Sequence, residues 1–355
     1  MAHQIHLRTF IIRCAMVVFW IAAIILFLLV PHILESFSHK KSITVLAWPA
    51  LIDTHYLKAF EKESGIKVNV RYFENNEELL AKMKETKGRG YDLIMPSDYM
   101  VDLMVQQGLL KKIDKSRLPF FNDLYPHLVG NYYDPENQYS MPFFWSIYGI
   151  AVNSEHFGGE LPQASWKLVF DPRFAQPHTC MIDDARELIL IAGQYLFGKQ
   201  DSFNQMQIEQ IKQLLVEQKK WVELYTEERA NFLLMSKMSP VAVILSAIVA
   251  RIARNVKRIK FLVPEEGSFM VIDSFAMPIA TDKDDLVYQF LNYIYKKEVL
   301  KNYIAKYGYF APIKSIEHTN LGIEMPSAEQ FKKIDFFRNI LTNQQISDIW
   351  IALKA

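Results

Sequence analysis

Residues 43–95 read ITVLAWPALIDTHYLKAFEKESGIKVNVRYFENNEELLAKMKETKGRGYDLIM, and this stretch decides the fold. Segments 43–48 (ITVLAW), 67–72 (KVNVRY) and 91–95 (YDLIM) have the length and alternating or β-branched character of strands. Between them, 54–64 sets Tyr56, Leu57 and Phe60 on one helical face and stops at Gly65, and 77–87 repeats the pattern with Leu79, Leu80 and Met83 before Gly88. Strand, helix, strand, helix, strand predicts βαβ units and a mostly parallel sheet, an α/β fold.

The same alternation continues downstream. A short helix is expected over 101–107, then a connecting region rich in Pro, Asn and aromatics over 114–137. Strands follow at 148–153 (YGIAVN), 180–183, 241–245 and 259–263, and helices at 186–197, 205–225, 285–295 and 299–306. The chain of 355 residues is long enough for two domains. A strand and loop region near 142–153 separates two similar sets of elements, so two α/β lobes are expected. Upstream, Cys14 to Val30 is wholly apolar, follows Arg8 and Arg13 and stops at Pro31. Its length suits either a cleaved signal, with Ser36-Phe37-Ser38 as a small-residue site, or a short retained anchor. Either reading places the rest of the chain outside the cytoplasm.

Composition removes several classes. Forty Lys and Arg against 39 Asp and Glu leave no basic excess for nucleic acid. Two Cys, Cys14 and Cys180, exclude a disulfide scaffold and argue against a Cys-based metal site. G-x-S-x-G, G-x-x-x-x-G-K-[ST], G-x-G-x-x-G and H-E-x-x-H are all missing, and the nine His are scattered singly. No catalytic set, metal site or cofactor is therefore expected. Two acidic features remain. Asp184 and Glu187 stand where a strand gives way to a helix, which suits helix capping first and does not exclude a ligand crevice at a strand end. Asp273 lies in the apolar run 269–277 (FMVIDSFAM), where a carboxylate needs a partner.

These segments, taken in order, resemble the spermidine/putrescine-binding proteins of bacterial ABC transporters. The resemblance runs from about Ile43 to Pro312 through GYDLIMPSDYMVDLM, YSMPFFWSIYGIAVN, DDARE, IDSFAMP and GYFAPI. It implies a type II bilobed periplasmic-binding-protein fold: residues 1–41 as signal or anchor and linker, 42–146 with 270–319 as lobe 1, 147–269 with 320–355 as lobe 2, and a two-strand hinge. It implies ligand contacts at Trp48, Ser97, Tyr99, Asp184, Glu187, Asp273 and Tyr309. It further implies a putrescine- or spermidine-like cation as ligand, ABC permease subunits of the inner membrane as partners, a monomer, and a periplasmic site of action. Carboxylates and aromatic faces suit such a cation. The chain also departs from the family. W-M-D reads Val271-Ile272-Asp273, W-N-G reads Leu245-Ser246-Ala247, the residues after Trp48 include Pro49 and Leu51, and a cleft glutamine aligns with Arg338. A different solute, such as an amino acid bridged by Arg338, is the alternative expectation.

Overall fold

A computed structural model describes residues 41–49, 51–227, 229–316 and 321–355, together with Met16 and Trp20. Apart from those two residues, the expected signal or anchor at 14–30 lies outside the described part. Among the described residues no helix is long and apolar enough to cross a membrane.

Among the described residues eleven strands form one branched sheet. They are β1 Ser42–Ala47, β2 Lys67–Tyr72, β3 Leu93–Ile94, β4 Leu110–Lys111, β5 Ser140–Asn153, β6 Thr179–Met181, β7 Val222–Tyr225, β8 Val241–Leu245, β9 Ile259–Leu262, β10 Ser268–Pro278 and β11 Ile334–Phe336. The main order is β2-β1-β3-β10-β5-β8-β6-β7, with β11 and β4 also on β10 and β9 also on β5. The expected βαβ units are present: β1 pairs in parallel with β2 and β3 through the Thr54–Ser64 and Asn76–Thr86 helices. The first helix ends at Gly65 with φ 71°, in the left-handed conformation that glycine adopts without penalty.

The sheet is mixed rather than mostly parallel. Each antiparallel pair contains β5 or β10, whereas β1, β2, β3 and β6, β7, β8 pair among themselves in parallel. β5 begins at Ser140, well before the expected 148, because its first half is the aromatic run SMPFFWSI. That half pairs with β10; from Tyr148 onward the strand pairs with β8 and β9. A side-chain knot marks the change of partners: Ser146 Oγ lies 2.8 Å from Ser246 Oγ, Ile147 N donates to Ser246 Oγ, and Ala247 N donates to Ser146 Oγ. The expected 205–225 helix ends at Gln218, and Val222–Tyr225 joins the sheet beside β6 instead.

The buried apolar residues fall into three clusters. The largest draws on 43–147 and most of 263–334; a second draws on 148–262, Phe269 and 337–353. The third, around Cys180, Ala230 and Val249, covers another face of the β5-β8-β6 region. Helices therefore pack on both faces of the sheet, as a mostly buried α/β sheet requires.

Gly149 shows how tightly the center of β5 is built. A Cβ there would overlap the Phe261 ring and lie 2.7 Å from the Leu262 carbonyl oxygen. Overpacking of this kind costs about 1–3 kcal/mol. Gly149→Ala is expected to lower the melting temperature, read by thermal denaturation; an unchanged melting temperature would show that β9 yields freely.

Candidate ligand-binding site

The site is assembled around β10. A bulge in its pairing with β5 falls between Asp273 and Ser274, so Asp273 faces Phe144 while Ser274 faces Pro142. Bulges re-aim side chains and tolerate a proline inside a strand. Ser97 forms an isolated antiparallel bridge to Asp273, and Ser274 N donates to Pro96 O at 3.0 Å. Ser97 stands at the N-cap of the Asp98–Gln106 helix, yet its hydroxyl makes no cap bond. It donates instead to Asp273 Oδ1 at 3.1 Å and accepts from Asn76 Nδ2 at 3.2 Å.

Asp273 is 8% exposed. Burial pushes its carboxyl up to about 7, against the opposing help of Ser97 and Trp48. Trp48 packs on Phe73 with ring centers 4.5 Å apart. Its buried Nε1 lies close enough to favor the Asp273 charge but outside strict hydrogen-bond geometry. Beside Asp273 is an acid that motif reading passed over. Asp98 is 2% exposed, and burial, followed by the Asp273 charge, pushes it up to about 8 against a 2.6 Å bond from Tyr99 N. It is the third residue of Pro96-Ser97-Asp98-Tyr99, a turn sequence that carries no sign of this burial.

A second group of acids comes from the other set of elements. Asp184 caps the Ala185–Phe197 helix, accepting from Glu187 N at 2.9 Å, and is exposed. The return half of a capping box is missing, because the Glu187 carboxylate turns toward Tyr148. Glu187 keeps partial solvent contact, yet the surrounding protein desolvates it like a buried group, as in a crevice wall. That burial holds its pKa well above the carboxylate range; Asp184 and Glu227 add to the effect, Tyr148 opposes it, and Asp98 contributes from across the crevice. Tyr148 donates to Glu227 Oε1 at 3.4 Å.

Aromatic rings line both groups. Tyr309 follows Gly308 at the end of the Lys297–Tyr307 helix and is fixed by the Trp145–Phe310 bridge and by stacking on Phe144 at 5.0 Å. Burial raises its hydroxyl pKa, and it feels both Asp273 and Glu227. Tyr99 is half-buried beneath the Arg186 guanidinium, 5.5 Å from its ring center. Trp48, Ser97, Tyr99, Asp273 and Tyr309 thus gather with Asp98, and Asp184 and Glu187 face them with Glu227. Among the described residues none of Asp98, Asp184, Glu187 and Asp273 has an ion-pair partner, and no three His, Cys, Asp or Glu side chains form a group that can hold a metal ion.

The departures in sequence also find places. Val271 and Leu245 pack against the second apolar cluster, and Ser246 belongs to the knot between β5 and β8. Arg338 bonds Asp201 at 2.8 Å and Asp335 at 3.2 Å, with its guanidinium over Tyr132. A nearby cavity lined by Gln194, Phe203, Phe269 and Arg338 holds only about 20 Å³, room for one water, and none of the crevice acids line it.

The bacterial extracellular solute-binding protein family model matches residues 89–338, and the chain belongs to that family. It is 30% identical over 267 residues to the spermidine/putrescine-binding periplasmic protein of Salmonella typhimurium, covering 75% of this chain and 76% of the relative. It is 27% identical to the putrescine-binding periplasmic protein of Pseudomonas aeruginosa, covering 89% and 92%. The spermidine/putrescine ABC transporter substrate-binding protein of Streptococcus pneumoniae has the same fold, with a TM-score of 0.77, 23% identity, and coverage of 88% of this chain and 98% of that one.

Raised acids have a consequence for stability. Asp98 and Asp273 hold protons in the folded state that the unfolded chain releases near pH 4. Their contribution is full below that pH and is lost as pH rises through about 7 to 8. The ligand-free protein is expected to melt at progressively lower temperature from pH 5 to pH 8. A melting temperature that rises steadily across this range would show that both acids are ionized and paired.

Proposed function

We propose that this protein captures a polyamine, of the putrescine or spermidine kind, and delivers it to the permease of an ABC transporter. One observation carries the reading: two groups of carboxylates, Asp98 with Asp273 and Asp184 with Glu187, stand near each other among aromatic rings, and no ion pair among the described residues neutralizes these four acids. Ammonium groups supply the charge these acids lack, while Trp48, Tyr99 and Tyr309 offer faces for methylenes and cations. Two separated acid groups suit a cation charged at both ends. The names of the relatives support the same ligand class and a periplasmic site of action. The anionic alternative loses its main support, because two carboxylates already engage Arg338.

Ligand contacts at Trp48, Ser97, Tyr99, Asp184, Glu187, Asp273 and Tyr309 belong to this proposal, as does a division into lobe 1 (42–146 with 270–319) and lobe 2 (147–269 with 320–355). What supports the division is the membership of the two larger apolar clusters, although the first also takes Ile147, Ala250, Val263, Leu321 and Ile334 from the second lobe's ranges. A monomer fits a receptor that opens and closes around its solute.

Asp273→Asn replaces the buried carboxyl with a neutral group of the same shape. Affinity for spermidine is expected to fall roughly tenfold or more, equivalent to about 1.4 kcal/mol. The ligand-free variant is expected to melt at the same temperature or higher. Calorimetric titration and thermal denaturation check the two halves. Loss of folding with unchanged affinity in the surviving protein would make Asp273 a structural acid.

A further inference from the structure

We propose that Asp98 is a ligand-contacting acid: with Asp273 it forms the inner end of the crevice and holds one ligand ammonium, a role that rests on the cation-binding reading above. Asp98 and Asp273 are 2% and 8% exposed. Asp98 Oδ1 is used locally, accepting from Tyr99 N. Its other oxygen, Oδ2, is buried without a partner in strict hydrogen-bond geometry, while the Ile272 N–H lies close enough to favor the Asp98 charge. Ser274 Oγ and Tyr133 Oη are also buried without strict partners. Tyr133 feels the Asp98 charge after burial, and its hydroxyl lies near Ser274. A carboxylate that served only the helix would find partners for both oxygens, since buried polar atoms in folded proteins are nearly all bonded. A primary ammonium has three donors and no acceptor. Asp98 Oδ2, the Asp273 carboxylate and a neighboring hydroxyl oxygen are acceptors suited to those donors.

The groups facing Asp98 define how the end of the crevice behaves. β10 presents Asp273 and the Ile272 N–H, the helix presents the Tyr99 N–H, residues 132–133 present two phenols, and Glu187 acts from across the crevice. Arg338 reaches only the outer side of Tyr132, where Asp201 and Asp335 hold it. Two adjacent buried carboxylates with no cation between them keep a proton. An entering ammonium replaces that proton, which passes to solvent, so capture releases a proton and tightens as pH rises toward 8.

The test is calorimetric titration of the purified full chain with spermidine at pH 6, 7 and 8, in buffers of different ionization enthalpy. The unaltered protein is expected to release roughly one proton per ligand below pH 7. Asp98→Asn is expected to bind roughly tenfold more weakly or worse at pH 8, with reduced release and an empty-state melting temperature that is unchanged or higher. Asp98→Asn with native affinity and native proton release overturns the assignment. If the variant does not fold, Asp98→Ser is measured in its place, and native affinity with native proton release again overturns the assignment. If the unaltered protein binds neither spermidine nor putrescine, the polyamine reading itself fails, and this inference with it.

Discussion

The antiparallel pairing of β5 with β10 is the constraint on which the rest of the structure depends. These two strands make each antiparallel contact of the sheet, and between them they join two sets of parallel strands. β5 leaves β10 for β8 and β9 near Tyr148, and there the Ser146–Ser246 knot satisfies backbone groups that the change of partners leaves free. Unpaired buried backbone is costly, so this crossing has to be specified by side chains. The bulge in the same pairing sets Asp273 against Phe144 and brings Ser97 to its carboxylate. The site is thus a by-product of how two strands register.

Such a site is expensive to keep empty. Carboxylates buried without cations lose several kcal/mol of hydration each if charged. The protein lowers that cost by keeping protons on them and by diverting local donors. Ser97 gives up helix capping to serve Asp273, and Asp98 takes an N–H of the same helix in exchange. Across the crevice, Asp184 retains its cap while Glu187 abandons the reciprocal bond. Local rules of helix ends are broken at just those positions where a ligand is proposed to sit, the pattern expected when function competes with stability.

Legibility in the sequence followed the strength of local signals. The helices 54–64 and 186–197 and the strands 43–48, 67–72 and 241–245 were readable because glycine stops and apolar spacing agree with tertiary packing. The first half of β5 was missed because Pro142 and three aromatics mask a strand whose proline is accommodated only by the bulge. Residues 222–225 carry helical polarity but are drawn into the sheet by pairing with β6, a non-local effect. Asp273 stood out as an acid in an apolar run. Asp98 did not, because a turn sequence gives no sign that its helix packs against β10 and buries the side chain.

Charge and shape contribute unequally to this crevice. At the two positions where the family carries tryptophan, Val271 and Leu245 have joined the second apolar cluster, so their loss is compensated in packing rather than in the cleft. Each missing cation–π contact forgoes about 0.5–2 kcal/mol. A charge-assisted hydrogen bond contributes about 1.5–3 kcal/mol, so the contact proposed for Asp98 would offset one or two lost rings. The exchange is not neutral in kind. Ring faces read the length and flatness of a methylene chain, whereas carboxylates read only the position of charge, over a longer range and with strong dependence on ionization. A crevice rebuilt this way would, if it takes a polyamine as proposed, select for the number and position of charges more than for the hydrocarbon between them.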